Sequence, residues 1–245
     1  MPALLIVFIQ VMCGIHAVRS GQERYWLYLI IGLPGLGCAI YALAVMVPDW
    51  LGSRDGRKLV RHAHDKVDPE RHVRMLREEL EITETSQNHV LLADELTRIG
   101  QHEEAAIHYQ KALSGIFITD PDIMLKLAYA QLASRDALSC RNTLDDLIKH
   151  NPDFTSPDGH LLYARALQEM GETNKAEDEY RTLIEYYAGP EARFRYAELL
   201  KDRGDFADAK HQLETIALIA RRSKPHYRKL HKAWLNKASQ ALKSL

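Results

Sequence analysis

The side chains with most chemical potential cluster at His62, His64 and His72. Imidazole is a common metal ligand, so three of them within eleven residues could begin a metal site. No cysteine or well-spaced carboxylate completes the set, and the stretch reads as a solvated linker. The cysteines, Cys13, Cys38 and Cys140, have the spacing of neither a disulfide framework nor a zinc site. Two lie in apolar runs and the third in an expected helix core, where they act as packing residues. The motifs G-x-x-x-x-G-K-[ST], G-x-S-x-G and H-E-x-x-H are absent from the sequence. No residue is therefore assigned a catalytic, cofactor or metal role, and the chain reads as a non-enzyme.

The elements around these residues carry more information. The 245 residues suffice for one or two domains, and the net charge of −1 conceals an uneven distribution. Residues 86–214 hold 14 Lys/Arg against 23 Asp/Glu, whereas the chain beyond Glu214 has eight basic residues and no acid. An acidic body repels phosphates, so nucleic acid is not an expected partner. The basic tail fits a solvated helix face, contact with anionic lipid headgroups, or pairing with the acidic body.

Up to Val47 the chain is apolar. Residues 2–18 and 25–47 form runs of 17 and 23 residues without a formal charge, joined by RSGQER. The second run, as a helix, would reach roughly 34 Å, enough for a hydrocarbon core of about 30 Å. This predicts a transmembrane hairpin over residues 1–48. Gly14, Gly32, Gly35 and Gly37 would permit close helix contact, and Pro34 would be tolerated in lipid. A cleaved signal fits poorly, because no positive n-region precedes the first run. Arg54, Arg57, Lys58 and Arg61 outnumber the loop's Arg19 and Arg24, which puts the C-terminal domain in the cytoplasm.

The stretch from Ile15 to Leu43, with its "HAVRSG", "YWLY" and "GLPGLGCAIY", resembles the N-terminal module of membrane-bound cardiolipin synthases of the phospholipase D superfamily. That resemblance implies two copies of H-x-K-x4-D. The nearest approach is His64-Asp-Lys66, but Arg71 stands in the aspartate position and there is no second copy. Only the anchor resembles the enzyme. This leaves, as an alternative, an accessory subunit of a phospholipid-synthesising membrane enzyme.

Beyond the linker, 49–69, the chain repeats itself. LADELTRIGQHEEAAIHYQKAL at 92–113 recurs as YARALQEMGETNKAEDEYRTLI at 163–184 and YAELLKDRGDFADAKHQLETIA at 196–217, with a degenerate copy at 127–148. Small residues Ala93, Ala128, Ala164 and Ala197 recur at spacings of 35, 36 and 33. Ala105, Cys140, Ala176 and Ala209 follow each by twelve, and would face them where two helices cross. Gly100, Gly171 and Gly204 suit the C′ position that ends the first helix, whereas Arg135 fills that slot in the degenerate copy. These units resemble tetratricopeptide (TPR) repeats, whose period is about 34 residues. The expected fold is all-α: the hairpin, then a TPR-like α-solenoid over 70–225 that begins with a helix at 70–84, then a capping helix at 226–245. The stretches "SPDGHLLYARALQEMGE", "GPEARFRYAELLKDRGD" and "HYRKLHKAWL" also resemble bacterial membrane-anchored TPR proteins, which implies an inner-membrane location and an architecture rather than a reaction.

Such arrays bind proteins or peptides along the concave face formed by their first helices. The register sends Asp94, Arg98, Tyr129, Leu161, Arg165, Gln168, Phe194 and Glu198 towards that groove. Arg98 and Arg165 could receive an acidic peptide. The expected function is a membrane-anchored scaffold that presents its groove to a protein partner, with no cofactor.

Overall fold

The computed structural model describes residues 2–33, 35–53, 57 and 68–245, with side chains from residue 7 onward. Among them there is no strand. The chain divides into two compact units, residues 1–71 and 72–245.

The first unit contains α1 (Pro2–Arg19), α2 (Tyr25–Gly32), α3 (Leu36–Tyr41), a π-helical turn (Ala42–Met46) and α4 (Val47–Gly52). The expected second span is therefore not one helix. It stops after eight residues, Leu33 leaves helical geometry at φ −125°, and Gly35 sits at φ +83°. Pro34 itself lies outside the described residues. Helix α1 has 18 residues, roughly 27 Å, against the ~30 Å of a hydrocarbon core. Among the described residues no helix is long and apolar enough to cross a membrane. This corrects the expected transmembrane hairpin with spans at 2–18 and 25–47, and with it the multi-pass placement in a bacterial inner membrane. The orientation drawn from Arg54, Lys58 and Arg61 falls on undescribed residues. So do His62, His64 and most of the 49–69 linker.

The apolar residues of this unit pack on one another instead. Cys13 and Ala17 of α1 meet Ile30, Cys38, Tyr41 and Val45. Two polar residues of α1 find partners within the unit. Gln10 Nε2 donates to the Ile30 carbonyl at 2.8 Å, and His16 Nδ1 lies 2.9 Å from the Tyr41 hydroxyl. Of the four glycines expected at helix contacts, only Gly37 is closely approached: a Cβ there would run into the Leu29 carbonyl.

Helix α5 (Arg71–Ile82) begins at the boundary and continues into the second unit, where its Val73, Leu76 and Leu80 share one face against the first repeat. Four helical pairs follow: α6 (Ser86–Arg98) with α7 (His102–Ala112), α8 (Pro121–Ala133) with α9 (Ala137–His150), α10 (Pro157–Glu169) with α11 (Thr173–Leu183), and α12 (Glu191–Asp202) with α13 (Phe206–Arg222). Two helices end the chain, α14 (Pro225–Leu230) and α15 (Lys232–Lys243), with the break at His231.

Local sequence explains where these helices begin and end. Thr85, Asp120, Asp136 and Ser156 are N-caps whose side chains accept an amide hydrogen from the residue three positions on, at 3.0–3.2 Å. Pro121, Pro157 and Pro225 stand in the first turns, where a missing N–H costs no helical bond. Each first helix closes with the same pair of reverse bonds. In the first repeat Gly100 N–H donates to Thr97 and Gln101 N–H to Leu96; in the third, Gly171 donates to Gln168 and Glu172 to Leu167. This Schellman arrangement requires a left-handed residue, and Gly100, Gly171 and Gly204 have φ of 85°, 77° and 88°. Arg135 adopts φ 70° in the same slot, the one non-glycine among the described residues with positive φ.

Candidate functional site

The small side chains within each pair decide how the groove is built. Ala93, Ala105, Ala128, Cys140, Ala164, Ala176 and Ala209 have no exposed surface, and Ala197 has almost none. Their size lets paired helices approach closely, so that each first helix turns a face away from its partner. Burial pushes the Cys140 thiol up to about 12, which leaves it a packing group and not a nucleophile. Tyr109 and Tyr180, from the second helices of their pairs, are buried across the small slots with their hydroxyls directed at first helices. Tyr109 donates to Asp94 Oδ1 at 2.6 Å, and Tyr180 to Gln168 Oε1 at 2.8 Å. Burial raises both phenols well above their ordinary range, so they remain donors.

A concavity of about 820 Å³ runs along the faces of α6, α8, α10 and α12. It brings together four of the eight expected groove residues: Asp94, Tyr129, Leu161 and Arg165. Asp94 is already engaged, since Lys126 Nζ lies 2.8 Å from both of its carboxylate oxygens. Tyr129 is 45% exposed and Leu161 forms part of the buried floor. Arg165 differs from its neighbours, because its Nε is buried and has no hydrogen-bond partner among the described residues.

The other four lie elsewhere. Arg98 pairs with Glu95 of its own helix at 2.7 Å. Gln168 is taken up by Tyr180. Phe194 is buried against the Trp234 ring, with centroids 5.6 Å apart. Glu198 stands outside the concavity, and its carboxyl is raised by partial burial against the opposing pull of Arg195 and Lys237. The first-helix register places half of these residues at the concavity, and it did not reveal which polar residues are used up within the repeat.

Reading the repeats alone missed Lys126, Arg195 and Trp234 in the lining. Trp234 comes from α15, outside the repeats. Arg195 lies 5.2 Å and Lys237 4.2 Å from the centre of its ring. The signal for Trp234 was its place on the apolar face of the terminal helix. Arg195 forms an ion pair with Glu191 at 2.8 Å. Lys126, Arg195 and Lys237 thus each have a carboxylate or an aromatic face. Arg165 is the lining cation that has neither a carboxylate nor an aromatic face among the described residues.

Residues 158–189 match the tetratricopeptide repeat family model. That is the third pair of helices, the one that carries Arg165. Among solved structures, MamA (residues 41 to the end) from Desulfovibrio magneticus RS-1 is similar with a TM-score of 0.57 at 12% identity, covering 69% of this chain and 94% of that one. A tetratricopeptide repeat protein from Parabacteroides merdae ATCC 43184 gives 0.53 at 15% identity, over 70% of each chain. A thermophilic TPR protein from Thermus thermophilus gives 0.50 at 18%, covering 74% and 96%. Likeness at these identities establishes a TPR-type helical solenoid. No curated protein matches the chain.

Proposed function

We propose that the four-repeat array is a protein-interaction scaffold whose concave groove holds an extended acidic segment of a protein partner. The observation that carries this reading is the Arg165 guanidinium in the lining of the concavity, for which no carboxylate partner is found among the described residues. A guanidinium presents its donors in a fixed fork that matches a carboxylate, and burial strengthens such a bond. Leu161 and Tyr129 beside it offer apolar and aromatic surface to the neighbouring residues of the segment. The accessory-subunit alternative rested on the hairpin resemblance, and a lipid partner at the basic tail on charge alone. Neither retains a supporting observation.

The test is fluorescence anisotropy of the full chain with labelled peptides rich in Asp and Glu, against neutral peptides of equal length. Acidic peptides bind, and Arg165→Glu weakens them by about ten- to a hundredfold, the size of a lost charged hydrogen bond. Arg221→Glu makes the same change of net charge on the tail and leaves affinity nearly intact. Equal weakening by both variants, or no preference for acidic peptides, overturns the reading.

A further inference from the structure

His89 is the one buried polar or charged residue among those described, with 4% of its surface exposed. Its Nδ1 lies 3.0 Å from Nδ1 of His108, so α6 and α7 are joined by two imidazoles edge to edge. The rings lie 5.2 Å apart, tilted by 35°. A carboxylate stands at each outer end of the pair. Glu84 Oε1 is 3.3 Å from His89 Nε2, and Glu104 Oε1 is 3.8 Å from His108 Nε2. Glu104 is also held by Arg77 of α5 at 2.7 and 2.8 Å. Lys111 of α7 is the remaining charge felt by His108.

Counting hydrogens restricts what this chain of groups can do. Two neutral rings carry two ring hydrogens. One must lie between the Nδ1 atoms, so only one remains for the two carboxylate ends. A third hydrogen makes one ring a cation between the two carboxylates: that ring carries hydrogens on both nitrogens and the other only outward, with the Glu104 end an ion-pair contact at 3.8 Å. A fourth puts N–H against N–H at 3.0 Å and two positive charges in adjacent, largely buried rings. That state cannot keep the contact.

We propose that the His89–His108 pair is a proton-operated latch, which holds α6 and α7 together while it carries no more than three ring hydrogens and opens the first repeat when the fourth is bound. The consequence reaches beyond the pair. Arg77 and Glu104 tie α5 to α7 at this point, and Val73, Leu76 and Leu80 of α5 lie on the core beneath. Tyr109, next to His108, holds Asp94 at the end of the groove. Opening the latch thus loosens α5 and one wall of the groove together. The proposal does not depend on what the groove binds.

The direction of the pH effect follows from the environment. His108 is pushed below its ordinary value, first by burial and then by His89, with Glu104 opposing and Lys111 and Arg77 adding to the depression. A depressed histidine binds fewer protons folded than unfolded. Its stabilisation is complete above the unfolded pKa of about 6.5, and is lost as pH falls towards the folded value.

The test is hydrogen exchange of the full chain at pH 7.5 and at pH 5, corrected for intrinsic rates. Protection of α5, α6 and α7 falls by up to about tenfold for each pH unit over which the open form binds one more proton, while α12 and α13 change little. His108→Asn keeps an acceptor near the Nδ1 position but cannot be protonated, so it flattens the acid loss. Equal acid loss in His108→Asn and in the unaltered chain overturns the proposal. Imidazole NMR of the unaltered chain provides a second measurement should the variant fail to fold. His108 titrates below the ordinary histidine value, and a titration at or above that value overturns the proposal by itself.

Discussion

Arg135 occupies a left-handed position that the other three repeats give to glycine. A side chain there sets Cβ against the following carbonyl, which costs roughly 1–2 kcal/mol, while glycine loses more backbone entropy on folding, roughly 0.5–1 kcal/mol. The net favours glycine. Arg135 is exposed, so its replacement removes no core contact. Arg135→Gly should raise the stability of the array by about 0.5 kcal/mol. Urea denaturation of both proteins would show this as a higher midpoint at unchanged slope, and a lower midpoint would mean that the side chain contributes more than the strain costs. Arg165 makes the complementary point. Its position in the register was legible in the sequence, but its unpartnered nitrogen was not, because satisfaction depends on which neighbours reach it.

At the level of the element, the caps were written locally. Ser156 before Pro157, with an acidic residue in the first turn, starts α10 regardless of what packs against it. The terminal helices depend on tertiary contact instead. Trp234, Leu235, Ala238, Ala241 and Leu242 lie on Phe194, Ala197, Leu213 and Ile216 of the last repeat. The sequence predicted one capping helix at 226–245, and the structure has two, broken at His231. Trp234 is half-buried, so Trp234→Ala should cost about 2 kcal/mol, less than the 3–5 kcal/mol of a fully buried aromatic. Near-ultraviolet circular dichroism and a thermal melt would read this. Loss of the last repeat's protection without effect on α6 and α7 would locate it, and a melt unchanged from the parent would refute the cap's role. The N-terminal runs show the opposite failure. Counting uncharged residues over 25–47 measured hydrophobicity but not continuity. The left-handed Gly35 and the bent segment at Leu33 divide that run into pieces that pack on α1.

For the molecule as a whole, residues 72–245 hold four repeats and a cap at each end, and their cores form a nearest-neighbour series. A protein spanning residues 68–245 should therefore fold alone, with helical far-ultraviolet circular dichroism and a cooperative thermal transition. A gradual melt without a transition would show that this unit cannot stand by itself. The sequence determined the repeat number, the small-residue slots and the turns, because each rests on side-chain size or backbone freedom within one helical pair. It did not determine the His89–His108 contact, whose members are nineteen residues apart and belong to no repeat slot. Nor did it show that Lys126 and Gln168 are consumed by Asp94 and Tyr180, or that Trp234 enters the groove. Those features arise where several elements meet. Periodicity assigns a residue to a face of its own helix, but the partner across that face, and so the charge left over for a ligand, depends on how the helices pack.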